Sequence, residues 1–391
     1  MKKTDGRVLW EVFVVSTRLG LTSFGGPAAH LGYFHEEYVR RRKWIDEKSY
    51  ADLVAICQFI PGPASSQVGI GIGTMRGGVL GGLLAFLGFT LPSVLTLMIF
   101  ALLLQETSVA DSGWIHGLKI VAAAVVAHAI LGMGAALAPD LKRKAIALAA
   151  LAALLLWQAA LGQIVVILAA GLLGLFLYRN SKEDVSQASL FPVSRSFGAI
   201  CLLLFFGLLI VLPILREAFP AGWIALFDSF YRSGALVFGG GHVVLPLLER
   251  EFVSSGLLTA EQFLAGYGAA QAVPGPLFTF ASYLGTVING WHGGLLATIA
   301  IFLPAFLLIF GVLPFWDALR RMPSVQGAIM GVNAAVVGIL IAAFYTPIWT
   351  SSITDPADFV FAAVLFSLLV HWKLPPWLVV AAGAIGGALF M

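Results

Sequence analysis

Four short segments rich in glycine and proline interrupt long apolar stretches of this chain. They are Phe24-Gly25-Gly26-Pro27 (break 1), Pro61-Gly62-Pro63 (break 2), Phe238-Gly239-Gly240-Gly241 (break 3) and Pro274-Gly275-Pro276 (break 4). Glycine tolerates most backbone angles and proline lacks the amide hydrogen, so one helix stops there and another can start. The new helix begins with unpaired amide hydrogens and a partial positive charge. Four such ends that converge predict one central anion site.

Two arginines stand at matching places before breaks 1 and 3. Arg18 and Arg232 each precede the break by six positions, inside an apolar stretch. An arginine inside a membrane is costly and is a candidate functional residue, and its guanidinium fits a tetrahedral oxyanion through two hydrogen bonds. Two alternatives are open for both residues: the side chain reaches the membrane surface, or it pairs with a nearby acid.

Neutral polar side chains flank breaks 2 and 4. Gln58 and Gln271 lie three residues before these breaks, where an amide lines the site or bonds to a neighbouring helix instead. Ser65 and Ser66 follow break 2, and their hydroxyls can donate to an oxyanion. The residues after break 4, at 277–280, are more apolar. We therefore expect the two halves of the chain to contribute unequally.

Two histidines and two glutamates are candidates for carrying protons. His30 and His242 follow breaks 1 and 3 closely, at positions that are not equivalent, and histidine titrates near neutral pH. The alternative is a structural, hydrogen-bonded histidine. Glu37 and Glu251 do occupy equivalent positions. They are either proton-coupling acids or ion-paired groups near the ends of the broken stretches.

The composition predicts an integral membrane protein. Of the 391 residues, 59% are hydrophobic and 11% are charged, whereas soluble chains are about 45–50% apolar and about 25% charged. The net charge of +3 and the scattered basic residues exclude a nucleic-acid-binding face. Because a span needs about 20 apolar residues, we expect spans at 79–104, 114–138, 162–178, 196–215, 293–316, 325–348 and 376–391, with shorter ones near 144–158 and 358–370.

The chain contains an internal duplication. An offset of 214 aligns Arg18, Glu37 and the glycines of break 1 with Arg232, Glu251 and those of break 3, and an offset of 213 aligns breaks 2 and 4. The predicted units are a first repeat at 8–180, a polar linker with an extra transmembrane helix at 181–221, and a second repeat at 222–391.

Loop charges predict that the two repeats face opposite ways, because cytoplasmic loops collect Lys and Arg. Residues 40–43 are all basic, whereas the matching region from 249 is mostly acidic. The loop at 105–113 is acidic and its counterpart is basic at 320–321. The N-terminus is then cytoplasmic, the C-terminus lies outside, and each broken stretch is a hairpin that dips into the membrane. Inverted repeats with broken helices are typical of transporters.

The sequence lacks the motifs of nucleotide hydrolysis, zinc binding and hydrolase catalysis. The sequence has no Walker-type phosphate loop, no Cys/His spacing for zinc and no hydrolase nucleophile elbow. Cys57 and Cys201 both lie in apolar stretches, which argues against a disulfide. We expect no enzyme activity, no cofactor and no metal. The oligomeric state stays open, with a homodimer as one option.

The residues around the breaks resemble the chromate ion transporter (CHR) family in its long, two-repeat form. Break 1 followed by Glu36, Glu37 and Trp44, and the segment from Gln58 to Pro63, are similar to the first repeat of that family. Break 3 and the segment at 271–276 are similar to the second repeat. The resemblance covers nearly the whole chain.

The resemblance implies a carrier in the bacterial or archaeal inner membrane that exports chromate with the proton motive force and confers chromate resistance. The expected partners are chromate or a sulfate-like oxyanion, protons and the lipid bilayer. The residues alone predict a carrier for a small anion and do not reach chromate. A sulfate or other oxyanion transporter, a passive anion channel and an intramembrane lipid-processing enzyme that uses Ser65 and Ser66 are the alternatives.

Overall fold

The regular elements of this protein are helices. The computed structural model describes residues 6–24, 26–106, 113–157, 162–178, 193–219, 221–238, 243–316 and 322–390. Within these ranges the structure contains helices and no strand, which confirms the predicted all-α class. The polar part of the predicted linker, up to residue 192, lies outside them.

Among the described residues, seven α-helices precede the linker and eight α-helices of nine residues or more follow its start. The first group is α1 (Gly6–Thr22), α2 (Gly26–Phe34), α3 (Glu47–Phe59), α4 (Ala64–Glu106), α5 (Gly113–Leu137), α6 (Leu141–Leu156) and α7 (Gly162–Leu177). The second group is α8 (Arg195–Ala218), α9 (Gly222–Ala235), α10 (Val244–Phe252), α11 (Ala260–Ala272), α12 (Phe280–Val312), α13 (Pro323–Ala343), α14 (Pro356–Val370) and α15 (Pro376–Phe390). A π-helical segment, His35–Arg41, continues α2, and a short 3₁₀ helix, Leu277–Thr279, leads into α12.

Five helical stretches in the described part of the chain are long and apolar enough to cross a membrane. They are Ala64–Leu104, Gly113–Leu137, Arg195–Ala218, Leu277–Phe315 and Val325–Ser352. Each covers a span predicted from the sequence to within one residue. Shorter apolar helices add Val165–Leu177, Pro356–Val370 and Pro376–Leu389. The chain is therefore a polytopic membrane protein.

The chain reverses direction at breaks 1 and 2. The hydroxyl oxygens of Ser16 and Tyr38, on opposite sides of break 1, lie 3.1 Å apart. Across break 2, a Cβ atom on Gly71 would lie 2.7 Å from a methyl carbon of Leu53. Residues spaced evenly about a break meet only if the two helices are antiparallel. We call α1 with α2 hairpin 1, and α3 with the beginning of α4 hairpin 2.

The same reversal occurs at breaks 3 and 4. The rings of Phe230 and Phe252 pack with their centroids 4.5 Å apart, on either side of break 3. The Tyr283 hydroxyl donates to the carbonyl oxygen of Gln262 at 2.9 Å across break 4. We call α9 with α10 hairpin 3, and α11 with the beginning of α12 hairpin 4.

The ends of hairpins 1 and 2 meet at one face of the bundle. Glu11, near the start of hairpin 1, accepts hydrogen bonds from Arg42 at 2.9 Å and from Arg76 at 3.3 Å. Both guanidinium groups also lie over the ring of Trp44. Because these residues begin or end the two hairpins, each hairpin enters and leaves at this face, which we call the basic end.

The two long helices α4 and α12 each fold back on themselves at a glycine. Gly78 has a φ of 65° and Gly290 a φ of 59°, both in the left-handed region that favours glycine. A Cβ atom on Gly82 would lie 3.0 Å from the carbonyl oxygen of Ile70, twelve residues earlier. Residues twelve apart in one straight helix cannot be this close, so the chain must reverse between them. The first segment of α4, residues 64–76, therefore returns hairpin 2 to the basic end.

Glycine contacts hold the last helix against α5. A Cβ atom on Gly117 would collide with the backbone of Gly383 and Gly387, so α5 and α15 approach closely along these residues. At the start of α5, His116 Nε2 lies 2.7 Å from a carboxylate oxygen of Asp358, the first-turn acid of α14. These contacts hold α14 and α15 beside α5.

Candidate substrate site

The four breaks join in pairs through backbone hydrogen bonds. The amide of Gly62 in break 2 donates to the carbonyl oxygen of Val237, next to break 3, at 2.7 Å. The amide of Gly275 in break 4 donates to the carbonyl oxygen of Ser23, next to break 1, at 3.0 Å. Ser23 and Val237 are equivalent at the 214 offset. The two bonds are therefore reciprocal, and each half holds a broken helix of the other.

The glycines at these joints cannot carry side chains without strain. Gly62 has a φ of +116° and Gly275 a φ of +108°, so both need the freedom that glycine has. A Cβ atom on Gly275 would lie 2.8 Å from Ser93 Oγ, and one on Gly62 would lie 3.8 Å from the Cβ atom of Ala305. Ser93 and Ala305 are also equivalent, at the 212 offset of α4 and α12.

Six buried polar atoms without a hydrogen-bond partner among the described residues belong to residues within four positions of a break or to α4. They are Ser23 Oγ, His30 Nε2, Ser66 Oγ, Gln67 Oε1, Thr90 Oγ1 and Gln271 Nε2. Asn333 and Ser352, farther along the chain, also carry such atoms. An unsatisfied buried polar atom is costly, so such a group of atoms points to a ligand. We call this set of six residues, with Ser65, the polar cluster.

His30 sits at the centre of the polar cluster. The residue is 1% exposed, and its Nδ1 atom lies 3.3 Å from Ser65 Oγ, which is 2% exposed. The edge of the imidazole meets the ring of Phe89 at a centroid distance of 5.3 Å. One ring nitrogen is thus held by the serine, and the other, Nε2, is left for a ligand or a proton.

The polar cluster surrounds a helix N-terminus. Helix α4 begins at Ala64 directly after break 2, so the amides of residues 64–66 come before its first internal hydrogen bond. The next amide, of Gln67, donates to the carbonyl oxygen of Pro63 at 3.0 Å. The Gln67 side chain donates through Nε2 to the carbonyl oxygen of Pro61 at 2.9 Å, which supports the turn. Free amides, the helix dipole and the Ser66 hydroxyl can together bind an oxyanion.

The structure places neither predicted arginine in the polar cluster. The Arg18 side chain is exposed on the outer face of α1, in line with Trp10, Val14 and Leu21. Arg232 forms an ion pair with Asp228, at 3.0 Å, and with Glu251, at 3.2 Å. The ion pairs of Arg232 correspond to one of the alternatives that the sequence left open, pairing with a nearby acid.

The two predicted glutamates are ion-paired, and the predicted glutamines differ. Glu37 accepts hydrogen bonds from Arg42 at 2.6 Å and from Arg41 at 3.2 Å. Glu251 accepts from Ser229 at 2.7 Å in addition to its arginine partners. Gln271 belongs to the polar cluster, whereas Gln58 is exposed on α3.

Four of the predicted site residues lie outside the described residues. They are Gly25, Gly239, Gly240 and His242. Of the remaining glycines and prolines, Gly26 has a φ of +78° and begins α2, and breaks 2 and 4 stand at the joints described above.

Two residues of the polar cluster, Ser23 and Thr90, and one beside it, Ser93, were not predicted from the sequence. Thr90 and Ser93 lie on the second segment of α4, and both are 1% exposed. Ser23 is fully buried immediately before break 1. Single hydroxyls in an apolar helix gave a weak signal, and Pro92 between Thr90 and Ser93 was the available hint. No cluster of three metal-binding side chains occurs in the part of the chain that was described.

Comparison with known proteins agrees with the resemblance noted from the sequence. The family described as "Chromate transporter" matches residues 10–175 and again residues 224–388. A "Probable chromate transport protein" of Synechococcus elongatus is 30% identical over 389 residues, covering 95% of this chain and 93% of the relative. A "Chromate transport protein" of Cupriavidus metallidurans is 28% identical, covering 97% of this chain and 92% of the relative.

A third relative, a "Chromate transport protein" of Pseudomonas aeruginosa, is 29% identical over 84% of this chain and 79% of its own length. No solved structure matches the chain. The family matches both halves separately, and each match contains two of the four breaks. On these grounds the protein is a member of the chromate transporter family.

Proposed function

We propose that this protein is a secondary carrier that moves chromate across the membrane, with the polar cluster as its substrate site. The observation that carries the proposal is the group of buried, unpartnered polar atoms at the joined breaks. The names of the related chromate transport proteins supply the substrate. Chromate is a tetrahedral dianion, and the amides and hydroxyls that start α4 are donors suited to it.

The side-chain types of the polar cluster favour an anion. Its side chains are hydroxyls, amides and one imidazole, and the cluster holds no carboxylate. The glutamates that the sequence nominated are held by arginines elsewhere. Donors in a water-poor site bind a dianion more strongly than they would in water.

The two reciprocal backbone hydrogen bonds support an arrangement of inverted repeats. Two bonds that exchange equivalent residues are the pattern of a two-fold relation between the halves. Loop charge then favours an axis in the membrane plane, because residues 40–43 are basic and the region from 249 is not. In this arrangement, with repeats at 8–180 and 222–391, opposite faces gain access to one central site in turn.

Labelling of introduced cysteines tests the orientation. Lys43→Cys and Ser255→Cys place thiols in exposed turns of equivalent hairpins. A membrane-impermeant thiol reagent applied outside intact cells should label Ser255→Cys and leave Lys43→Cys unlabelled until the membrane is opened. Equal labelling of both from outside would refute the inverted arrangement.

We further propose that transport is outward and coupled to protons, with His30 as the proton carrier. His30 is the titratable group in the polar cluster, next to the proposed dianion site. Proton entry from outside would then drive chromate out of the cytoplasm across the inner membrane, which would give chromate resistance. Glu37 and Glu251 stay candidates with weaker support, because arginines already hold their charges.

Everted membrane vesicles test both proposals. An acidic lumen should drive uptake of labelled chromate, and Ser66→Ala should lower that uptake about tenfold or more because a hydrogen bond to a charged group contributes about 1.5–3 kcal/mol. Ser352→Ala is a matched control, since Ser352 is also buried and unpartnered but lies in the short helix Thr350–Ser352, outside the polar cluster. Uptake equal to that of empty vesicles would refute chromate transport.

Sulfate or a related oxyanion is the second candidate substrate. The polar cluster offers donors without a feature that separates one tetrahedral dianion from another. Competition for chromate uptake by sulfate, molybdate and phosphate ranks the substrates, and tighter binding of sulfate would make sulfate the primary one. Uptake that neither saturates nor responds to protons would indicate a passive anion channel instead.

A further inference from the structure

A second polar site lies beside break 1, at a cavity that opens on the side of the bundle. The cavity has a volume of about 600 Å³ and lies between hairpin 1, α5 and the turn that joins α14 to α15. Its polar lining comes from Tyr33, His128 and Lys373, and its other walls include Phe24 and Trp377. No acidic residue is among the described residues that line it.

The cavity lies beside α5, between the two ends of that helix. Helix α5 has 25 residues, which gives about 37 Å of length against about 30 Å of hydrocarbon. Its start is marked by the His116–Asp358 pair. Beyond its other end, the backbone amide and then the side chain of Arg143 donate to Asp140 and lower the pKa of that carboxyl to about 2. His128 is 15 residues from the start of α5, or about 22 Å, which is inside the hydrocarbon layer.

Lys373 supplies a positive charge at this cavity. It follows α14, whose 15 residues extend about 22 Å from the Asp355–Asp358 capping box. Lys373 is exposed and forms no ion pair with any described residue. A cation among apolar helices is favoured where water or an anion reaches it. Its φ of 53° is also in the left-handed region, which a lysine adopts only when its surroundings hold it there.

One aromatic contact separates this cavity from the polar cluster. The rings of Phe24 and Trp377 lie 6.0 Å apart between centroids. Ser23, the next residue along the chain from Phe24, is fully buried in the polar cluster and accepts the hydrogen bond from Gly275. An anion held in the cavity is therefore one aromatic pair away from the proposed substrate site.

We propose that this cavity is a water-filled access site for the oxyanion, in which Lys373 and His128 attract the dianion and the Phe24–Trp377 pair closes the inner end. The proposal rests on the proposed function, since it adds an outer site on the path to the polar cluster. It assigns the ligand class as a small dianion, because the described polar lining offers a cation and hydrogen-bond donors without an acid.

Thiol labelling tests the site without relying on transport. Cys57 and Cys201 are buried and stay in place, and Tyr33→Cys puts a reactive thiol in the cavity wall. A negatively charged methanethiosulfonate should react with it several-fold faster than a positively charged one, and added chromate should slow the reaction. In the Lys373→Gln background the preference should fall by about tenfold, the effect of roughly 1.4 kcal/mol of attraction.

A lipid-facing control and a transport assay complete the test. Leu168→Cys, on the exposed face of α7, should react slowly with both reagents. Reaction at Tyr33→Cys as slow as at Leu168→Cys would overturn the proposal, because the cavity would then be filled by lipid or by another chain. Equal rates for the two reagents would overturn the cationic role of Lys373.

In vesicles, Lys373→Gln should raise the KM for chromate about tenfold and leave the maximal rate near that of the wild type, because an access site concentrates the ion without binding it in the final step. Lys373→Arg should restore the KM. Unchanged kinetics in Lys373→Gln, with an active wild type, would overturn the access site alone. A wild type that moves no chromate but still shows the labelling preference would refute the proposed function and leave the cationic cavity in place.

Discussion

Where the first half of the chain carries Thr90 and Ser93, the second half carries Phe302 and Ala305 at the equivalent positions of α12. His30 likewise corresponds to Val244. The backbones nevertheless agree in the two reciprocal hydrogen bonds and in the reversals at Gly78 and Gly290. The backbone geometry is therefore repeated in both halves, whereas these three polar side chains occur in the first half.

The second half puts aromatic packing where the first half puts hydroxyls. Phe302 packs against Phe86 with ring centroids 4.9 Å apart and against Phe278 at 6.0 Å. These rings form an apolar wall close to break 4.

The shared backbone should be the most sensitive feature in both halves. A Cβ atom on Gly81 or on Gly293 would lie 2.2 Å from a backbone carbonyl oxygen of the partner segment. Gly81→Ala and Gly293→Ala should therefore each destabilise the fold by about 3 kcal/mol or more, since backbone cannot move aside as a side chain can. The midpoint of thermal unfolding in detergent measures the effect. Gly207→Ala, with open space around it, is the matched control.

If only one of these two variants lost stability, the halves would not share the tight reversal that the structure gives both. That result would refute the equivalence of the two backbones.

Removal of one hydroxyl from each half should lower chromate uptake in the first half's variant and not in the second's. Thr90→Val keeps the shape of the side chain but removes a buried unpartnered hydroxyl from the polar cluster. Chromate uptake should fall about tenfold or more, as expected for a lost hydrogen bond of about 1.5–3 kcal/mol to an ion. Thr298→Val removes a hydroxyl on α12 that bonds within its own helix, so uptake should stay near the wild-type rate. Equal losses in the two variants would contradict a site built mainly by the first half.

The smallest expected effect is a difference in stability between variants of the two equivalent arginines, Arg232 and Arg18. Arg232→Gln removes one of the cations that hold Asp228, whose side chain is 1% exposed, but Arg216 still lies 3.4 Å away. We expect a loss of about 1–2 kcal/mol in stability, below the full value for an unpaired buried charge because Arg232 is partly exposed. Arg18→Gln should change the unfolding midpoint little.

An Arg18→Gln protein that unfolds like the wild type but transports no chromate would support Arg18 as a substrate-binding residue. Unchanged stability in Arg232→Gln would show that the ion pairs around Asp228 contribute little.

The breaks were predictable because their cause is local. Proline and glycine act on the backbone through their own chemistry, so the four interruptions and their pairing could be predicted from spacing alone. Ser65, Ser66 and His30 were identified for the same reason, since each closely follows a break. The structure places all three in or beside the polar cluster.

The arginines and the α4 hydroxyls depend on distant contacts instead. Arg232 is held because Asp228 and Glu251 are brought to it, whereas the first half has Val14 at the place of Asp228. Thr90 and Ser93 matter because break 4 folds against their helix, and the closest contact is that of Gly275 with Ser93. Neither relation follows from the periodicity of the sequence.

The hydrogen bond from each half to the other half has a mechanical consequence. Because the amide of Gly62 bonds to the segment before break 3 and the amide of Gly275 bonds to the segment before break 1, a tilt of one half relative to the other strains both bonds. In the proposed carrier, two equivalent backbone bonds favour neither of two opposite tilts. The side chains that differ between the halves, and the presence of the oxyanion, would then determine which tilt is populated.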